Sequence, residues 1–255
     1  MPTSRENQRL ITYHQTGPVK LKCMLQLDRL YLDQKSRAKF EDKWSDFVAD
    51  SCNSDIYHLQ GSTLSFDSEQ LIPSKNIAKP SLLLVLGNPA SESVKRGMFF
   101  ATDKDGKELR FWKHIIEKAK ILPPLPDKNL SAKEINHGRK KQLWNLEYQT
   151  AFRIGLTVFI SMPSAAGGKW GGVAGIKRLL GANAFKIIEK EEIERIVMGA
   201  QKFVQNHGAV ITFQKNAWEN LRSKDDPVYT IDMAKEGKLT GNVKGHSDIR
   251  LYGVP

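Results

Sequence analysis

The side chains best suited to chemistry follow the apolar run Leu82–Leu86. The next three residues are Gly, Asn and Pro. An apolar run that ends in Gly and Pro predicts a buried parallel strand leading into a tight loop. Because ligands of open α/β sheets bind beyond the carboxyl ends of strands, we expect Asn88 to lie beside a ligand or a reacting water. Phe99 and Phe100 follow in the same loop, and aromatic faces beside a polar group suit a flat heterocycle.

A second candidate is His246, which follows Gly245 near the end of the sequence. A lone loop histidine is usually a surface residue. Its neighbours Ser247 and Arg250, however, complete a basic, hydrogen-bonding loop suited to a phosphate contact. The His, Cys and acidic residues show no metal-ligand spacing, so we expect no metal and no cofactor.

Composition and charge narrow the class of protein. The chain has 255 residues, of which 26% are charged and 40% hydrophobic, as in globular proteins. Its net charge of +11 favours an anionic partner, nucleic acid first and a membrane surface second. Cys23 and Cys52 are too few for an iron–sulfur cluster and indicate free thiols in a reducing cytosol. The sequence has no apolar segment long enough to span a membrane, and its first residues lack the hydrophobic core of a signal peptide. We therefore expect an intracellular, cytoplasmic protein, and association with the nucleoid is left open.

The order of apolar and helical segments predicts the fold class. Strands are expected at Leu82–Leu86, Gly155–Met162, Ala209–Phe213 and Val228–Ile231, and helices at Leu109–Ile121 and Lys190–Asn206. Strands separated by helices indicate βαβ units. We therefore expect an α/β three-layer sandwich with a central, mainly parallel four-stranded sheet and helices on both faces.

The part of the chain before this α/β domain is predicted to be an extension packed on it. Residues 1–79 are expected to comprise a mobile arm (Met1–Val19), a helix (Leu21–Ala49) and a loop-rich stretch (Ser51–Lys79). Residues 80–255 then form the α/β domain, and the two parts are expected to make one compact unit.

The loop after the first strand resembles that of the uracil-DNA glycosylase superfamily. Members open their pocket with a strand and a loop ending in Pro, and some branches carry a Gly eight residues and an aromatic residue eleven residues after it. Pro89, Gly97 and Phe100 have this spacing. The Asn88–Pro89 pair is similar to that of the single-strand-selective and mismatch-specific branches.

Two later segments extend the resemblance over residues 80–250. Val210–Leu221 is similar to the third strand and the turn and helix that follow it in the family. Gly245, His246 and Ser247 resemble the closing His-Pro-Ser loop, although the chain has no Pro between His246 and Ser247. The second strand also lacks the Asn with which many members recognise uracil.

The resemblance implies a DNA base-excision glycosylase. Such an enzyme flips a damaged base, uracil or a related one, out of single- or double-stranded DNA and hydrolyses the N-glycosidic bond without a metal. Asn88 would hold the water and His246 would stabilise the leaving base, in a pocket between the loops Gly87–Phe100 and Gly245–Arg250. A monomer is expected, with no membrane contact. The implied base-binding residues are Gly87, Pro89, Ala90, Phe99 and Phe100, and the implied DNA contacts are Lys95, Arg96, Ser164, Lys215, Ser247 and Arg250.

Three other hypotheses stay open. A catalytically altered module on the same fold would bind a nucleobase, a nucleotide or DNA without cleavage, and the altered histidine loop and missing Asn favour it. A structural or regulatory DNA-binding protein would use the positive charge alone. A nucleotide hydrolase or transferase on a doubly wound fold is the third.

Overall fold

The N-terminal part of the chain folds into an antiparallel sheet. The computed structural model describes residues 9–74, 78–102, 107–125, 129–204 and 207–255. The sheet has the strand order β1-β2-β4-β3, with β1 at Ile11–Gln15, β2 at Lys20–Gln26, β3 at Tyr57–Gln60 and β4 at Thr63–Glu69. Between β2 and β3 the chain forms α1 (Leu27–Leu30), α2 (Gln34–Val48) and α3 (Ser51–Ser54).

This sheet corrects the expected mobile arm and the expected long helix at Leu21–Ala49. Leu21, Cys23 and Leu25 are buried at every second position of β2, which is the period of a strand rather than of a helix. The helix starts only at Gln34, where the Asp33 carboxylate accepts a hydrogen bond from the Ser36 amide at 2.8 Å. Residues 1–8 of the expected arm lie outside the described residues.

The second sheet is mostly parallel and has the order β6-β5-β7-β9-β8. Its strands are β5 (Ser81–Leu86), β6 (Arg153–Val158), β7 (Ala209–Thr212), β8 (Thr240–Val243) and β9 (His246–Gly253). The strand β5 pairs in parallel with β6 on one side and with β7 on the other, and β7 pairs in parallel with β9. The predicted parallel arrangement of the first three strands is confirmed.

The sheet has five strands instead of the expected four, because β8 pairs antiparallel with β9. The strand expected at Val228–Ile231 is wrong: Ile231 begins a short helix, α9 (Ile231–Lys235), which the Thr230 hydroxyl caps by accepting from the Met233 amide. The fourth parallel strand is β9, in the segment expected to be a loop. Its Ile249 and Leu251 are buried at alternate positions, as a strand with one packed face requires.

Helical segments connect the strands of this sheet. They are α4 (Ser91–Arg96), a π-helical segment (Phe111–Glu117), α5 (Ala132–Asn145), α6 (Gly172–Leu180), α7 (Ala182–Phe203) and α8 (Lys215–Leu221). The helix expected at Leu109–Ile121 is therefore shorter and π-helical. The one expected from Lys190 begins earlier, at Ala182.

Alternate side chains of β5 enter two different hydrophobic cores. Leu83 and Val85 pack in a cluster with residues of α6, α7 and the antiparallel sheet. Leu84 and Leu86 pack in a second cluster with residues of the π-helical segment and α5. Both faces of the parallel sheet are thus covered, which explains why its central strand is a continuous apolar run.

A buried ion pair secures the carboxyl end of β6. The Arg195 guanidinium of α7 contacts the Glu192 carboxylate at 2.7 Å and also donates to the Val158 carbonyl. Glu192 in turn accepts a hydrogen bond from the Ser161 amide at 2.8 Å. Helix α7 therefore stabilises the loop that follows β6 through these contacts.

Candidate functional site

A cavity of about 310 Å³ lies at the carboxyl ends of the parallel strands. We call it the carboxyl-edge pocket; its lining includes Glu69, Leu86 to Ala90, Ser93, Phe99, Phe100, Leu109, Val158, Ser164 to Ala166, Gly172 and Gln214. The strands β6 and β7, which follow β5 in the chain, flank it on opposite sides, so the strand order reverses there. Open α/β sheets bind ligands at such a switch point. The volume is at the lower end of the range for ligand pockets.

Asn88 is held in a single orientation at the wall of this pocket. Its side-chain nitrogen donates to the Ser164 hydroxyl at 2.8 Å and to the Met162 carbonyl at 3.2 Å. The side-chain oxygen has no hydrogen-bond partner among the described residues. Asn88 therefore presents a fixed acceptor, which suits a water molecule or a donor group of a ligand.

Phe100 supplies an aromatic face to the same pocket. Helix α4 ends at Arg96, and the next residue, Gly97, has a φ of +71° that turns the chain back. Phe100 itself has a φ of +45°, an uncommon conformation for a bulky residue. Its ring stacks on Phe111 with centroids 4.3 Å apart, and Trp112 donates to its carbonyl at 3.0 Å. Phe99 is 1% exposed and packs in the second core, so Phe100 is the more accessible ring.

Free backbone amides add donors to the pocket. The N–H groups of Asn88 and Ala90 have no acceptor in the described part of the chain. Helix α6 begins beside them at Gly172, and its N-cap Gly171 has no side chain to cap the first turn. The first amides of a helix lack partners within it and carry partial positive charge. The pocket can therefore stabilise negative charge on a ligand.

Gln214 and Glu69 are among the pocket residues that were not predicted from the sequence. Gln214 follows β7 and lies against Gly87, where an added Cβ would come within 2.2 Å of its side-chain nitrogen. The close approach explains the need for glycine at that position. Glu69 comes from β4, in a segment predicted to be loop, and no local pattern indicated that it would reach the pocket. For Gln214, its position at the end of a predicted strand was the available signal.

His246 is not in the carboxyl-edge pocket. It begins β9, and Arg250, four residues later, pairs with Ala209, which also pairs with Leu82. Since Leu86 lies four residues beyond Leu82, His246 and the carboxyl end of β5 are about 26 Å apart along the strands, at about 3.3 Å per residue. The expected pocket between the loops Gly87–Phe100 and Gly245–Arg250 is therefore wrong, because Gly245–Arg250 is not a loop at that edge.

The predicted DNA contacts are dispersed over the molecule. Lys95 pairs with Asp55 at 2.5 Å and Arg96 with Glu92 at 2.6 Å, so both are engaged within the protein. Ser164 is buried and holds Asn88, so it is a pocket residue and not a surface contact.

The other three predicted DNA contacts are exposed but not neighbours. Lys215 follows the pocket residue Gln214 in sequence and is exposed. Ser247 and Arg250 are exposed on β9, before it reaches the carboxyl edge. Of the predicted DNA contacts, Lys215 is thus the one exposed basic residue that lies next to a pocket residue in sequence.

Comparison with protein-family models and with curated proteins finds no match to this chain. Among the described residues, no group of His, Cys, Asp and Glu side chains could hold a metal ion. No helix in the described ranges is long and apolar enough to cross a membrane. The functional conclusion therefore depends on the chemistry of the pocket.

Proposed function

We propose that the carboxyl-edge pocket receives a damaged base flipped out of DNA, and that the protein hydrolyses its N-glycosidic bond. The observation that carries this proposal is the anchored Asn88. Both of its side-chain N–H bonds are directed to protein oxygens, while its side-chain oxygen stays available beside the pocket. This is the arrangement needed to hold a water molecule against a reacting carbon.

The remaining pocket groups suit the other parts of the reaction. The Phe100 ring stacks on the flipped base, and the amides of Asn88 and Ala90 donate to its edge. The bond between the sugar and the base nitrogen breaks, and its electron pair leaves with the base. The amides of the first turn of α6 stabilise that negative charge. Water, held by Asn88, then bonds to the sugar carbon and releases its proton to solvent, because an amide cannot accept it.

A second candidate function is base or nucleotide binding without cleavage. The position of His246 at the far end of β9 favours it, because the group expected to stabilise the leaving base is not at the pocket. Binding uses the same aromatic face and amide donors, and differs only in the absence of bond cleavage.

A base-release assay separates these two functions. The protein is incubated with oligonucleotides that carry uracil, hypoxanthine or a thymine mismatch, and abasic sites are then cleaved with alkali. Strand scission supports the glycosylase. A gel shift without scission on every oligonucleotide supports the binding function instead.

Replacing Phe100 with alanine is expected to weaken binding of the damaged oligonucleotide by about 1–3 kcal/mol, the contribution of one stacked base. The measurement is the dissociation constant, with the melting temperature as a check on folding. Phe99→Ala is the matched control, since Phe99 is buried in the second core and its loss should lower stability instead. Unchanged affinity in a folded Phe100→Ala variant would rule out stacking on this ring.

DNA affinity is expected to fall steeply between low and physiological salt, because the net charge of +11 favours several phosphate contacts. Lys215→Ala should reduce the slope of log affinity against log salt by about one, as the loss of a single contact does. Arg250→Ala, which removes a charge from β9 before the carboxyl edge, should leave the slope unchanged. Equal effects of both substitutions would mean that DNA does not approach along the pocket edge.

A further inference from the structure

Glu69 is a buried acid that reaches the carboxyl-edge pocket from outside the parallel sheet. Leu71 forms an antiparallel bridge with Leu156 of β6. In an antiparallel pair the residue two places before Leu71 stands level with the residue two places after Leu156. Glu69, two places before this isolated bridge, and Val158, two places after Leu156, both line the pocket. Among the described residues, Glu69 is the only titratable side chain that lines this pocket.

The carboxyl group of Glu69 has no ion-pair or hydrogen-bond partner among the residues that the structure describes. The residue is 2% exposed, and its Oε1 atom is buried without a hydrogen bond. Lys20 stands opposite in β2, but its ammonium group pairs with Asp67 at 2.7 Å. A buried polar atom left unpaired costs about 1–3 kcal/mol, and native proteins contain few of them. The contacts among the described residues therefore do not account for this buried acid.

Burial also determines which form of the acid is present. It raises the pKa of Glu69 well above the usual range of a glutamate and so favours the protonated carboxyl group. A protonated carboxyl offers one O–H donor next to one carbonyl acceptor. This pair is complementary to a ring nitrogen beside an exocyclic oxygen or amino group, the edge that nucleobases carry.

We propose that Glu69 is a specificity-determining residue of the pocket, whose carboxyl group hydrogen-bonds the donor–acceptor edge of a nucleobase. The base lies against Phe100, and its edge meets the carboxyl group at the β6 side of the pocket. The inference rests on one part of the proposed function, namely that a flat base fills the pocket. It does not require the base to be excised.

Calorimetric titration of the protein with uracil, hypoxanthine, 3-methyluracil and 1-methylhypoxanthine tests the proposal. The methyl groups block the edge that Glu69 binds, so the parent protein should prefer the unmethylated bases. Glu69→Ala should weaken binding of uracil or hypoxanthine about tenfold and remove the preference, because the hydrogen bonds are lost. Glu69→Gln keeps one donor and one acceptor and should stay within about threefold of the parent.

A Glu69→Leu variant separates ligand binding from a structural role. It removes an unpartnered buried acid, so its melting temperature should equal or exceed that of the parent while base binding is lost. A lower melting temperature in both the Leu and the Gln variants would assign Glu69 to folding and overturn the proposal. So would binding of no base by the parent, equal binding of methylated and unmethylated bases, or unchanged binding by Glu69→Ala.

The base-release assay, run on the same variants, distinguishes this proposal from the proposed function. Base binding that depends on Glu69, without strand scission by the parent, supports the role of Glu69 and overturns excision. If the parent cleaves the strand, and Glu69→Ala cleaves it at the same rate and binds the base with the same affinity, the result supports excision and overturns the role of Glu69.

Discussion

Replacing Asn88 with alanine is expected to lower the single-turnover rate of base release by about a hundredfold or more, while DNA affinity changes little. The physical reason is that Asn88 acts on the transition state, where the water must meet the sugar carbon in one orientation, and loss of one such positioned group typically costs about 10²–10³ in rate. The measurement is rapid-quench single-turnover kinetics, with affinity determined by gel shift on the same oligonucleotide.

Ser164→Ala is the matched control for this experiment. It removes the hydroxyl that accepts from Asn88 at 2.8 Å but leaves the Asn88 side-chain oxygen in place. The Met162 carbonyl still holds the amide, so the rate should fall less than in Asn88→Ala. Equal losses in both variants, together with lowered melting temperatures, would show that Asn88 supports the loop and does not act on water.

Glu192→Ala is expected to destabilise the protein by about 3–5 kcal/mol, because removal of one partner leaves a buried charge unpaired. Glu192 is fully buried, and the Arg195 guanidinium that it pairs with is 8% exposed. The change also removes the acceptor for the Ser161 amide, so the loop that carries Ser164 loses its support. Urea denaturation gives the free energy of unfolding directly.

A double variant provides the control for the ion pair. Glu192→Leu combined with Arg195→Met removes both charges and keeps apolar volume, so it should be less destabilised than Glu192→Ala, as for other buried pairs replaced by apolar residues. If the double variant is instead the less stable of the two, the hydrogen bonds of Arg195 to Thr157 and Val158 matter more than the pairing of charges.

The parts of the fold predicted correctly from the sequence depend on local patterns with strong periodicity. Leu82–Leu86 is apolar at every position because both faces of β5 are packed, and such a run is typical of a central parallel strand. The two strands that flank it carry similar runs. The antiparallel strand β2 was predicted to be helix because a helix pattern follows directly after it, and its three buried positions alone were too few to separate the two periods.

Glu69 and His246 show where local patterns stop being informative about the site. His246 has glycine before it and polar neighbours after it, a pattern typical of a loop. The segment nevertheless forms strand β9, because Ile249 and Leu251 are buried at alternate positions. Its distance from Asn88 follows from the parallel direction of β9, which places its first residue at the opposite edge. Glu69 enters the pocket only through the bridge between Leu71 and Leu156, residues far apart in the chain.

The sequence by itself determined the α/β class, the central strand and the placement of Asn88 and Phe100 shortly after it, although helix α4 separates these two residues where one loop was expected. These features depend on residues within about twenty positions of one another, where periodicity and turn chemistry act directly. Only the tertiary structure decided which other side chains meet them: Gln214 and Glu69 lie at the pocket, whereas His246 does not. The physical reason is that strand order, direction and register are set by burial of apolar faces across the whole chain, and a single residue's neighbours in sequence do not encode them.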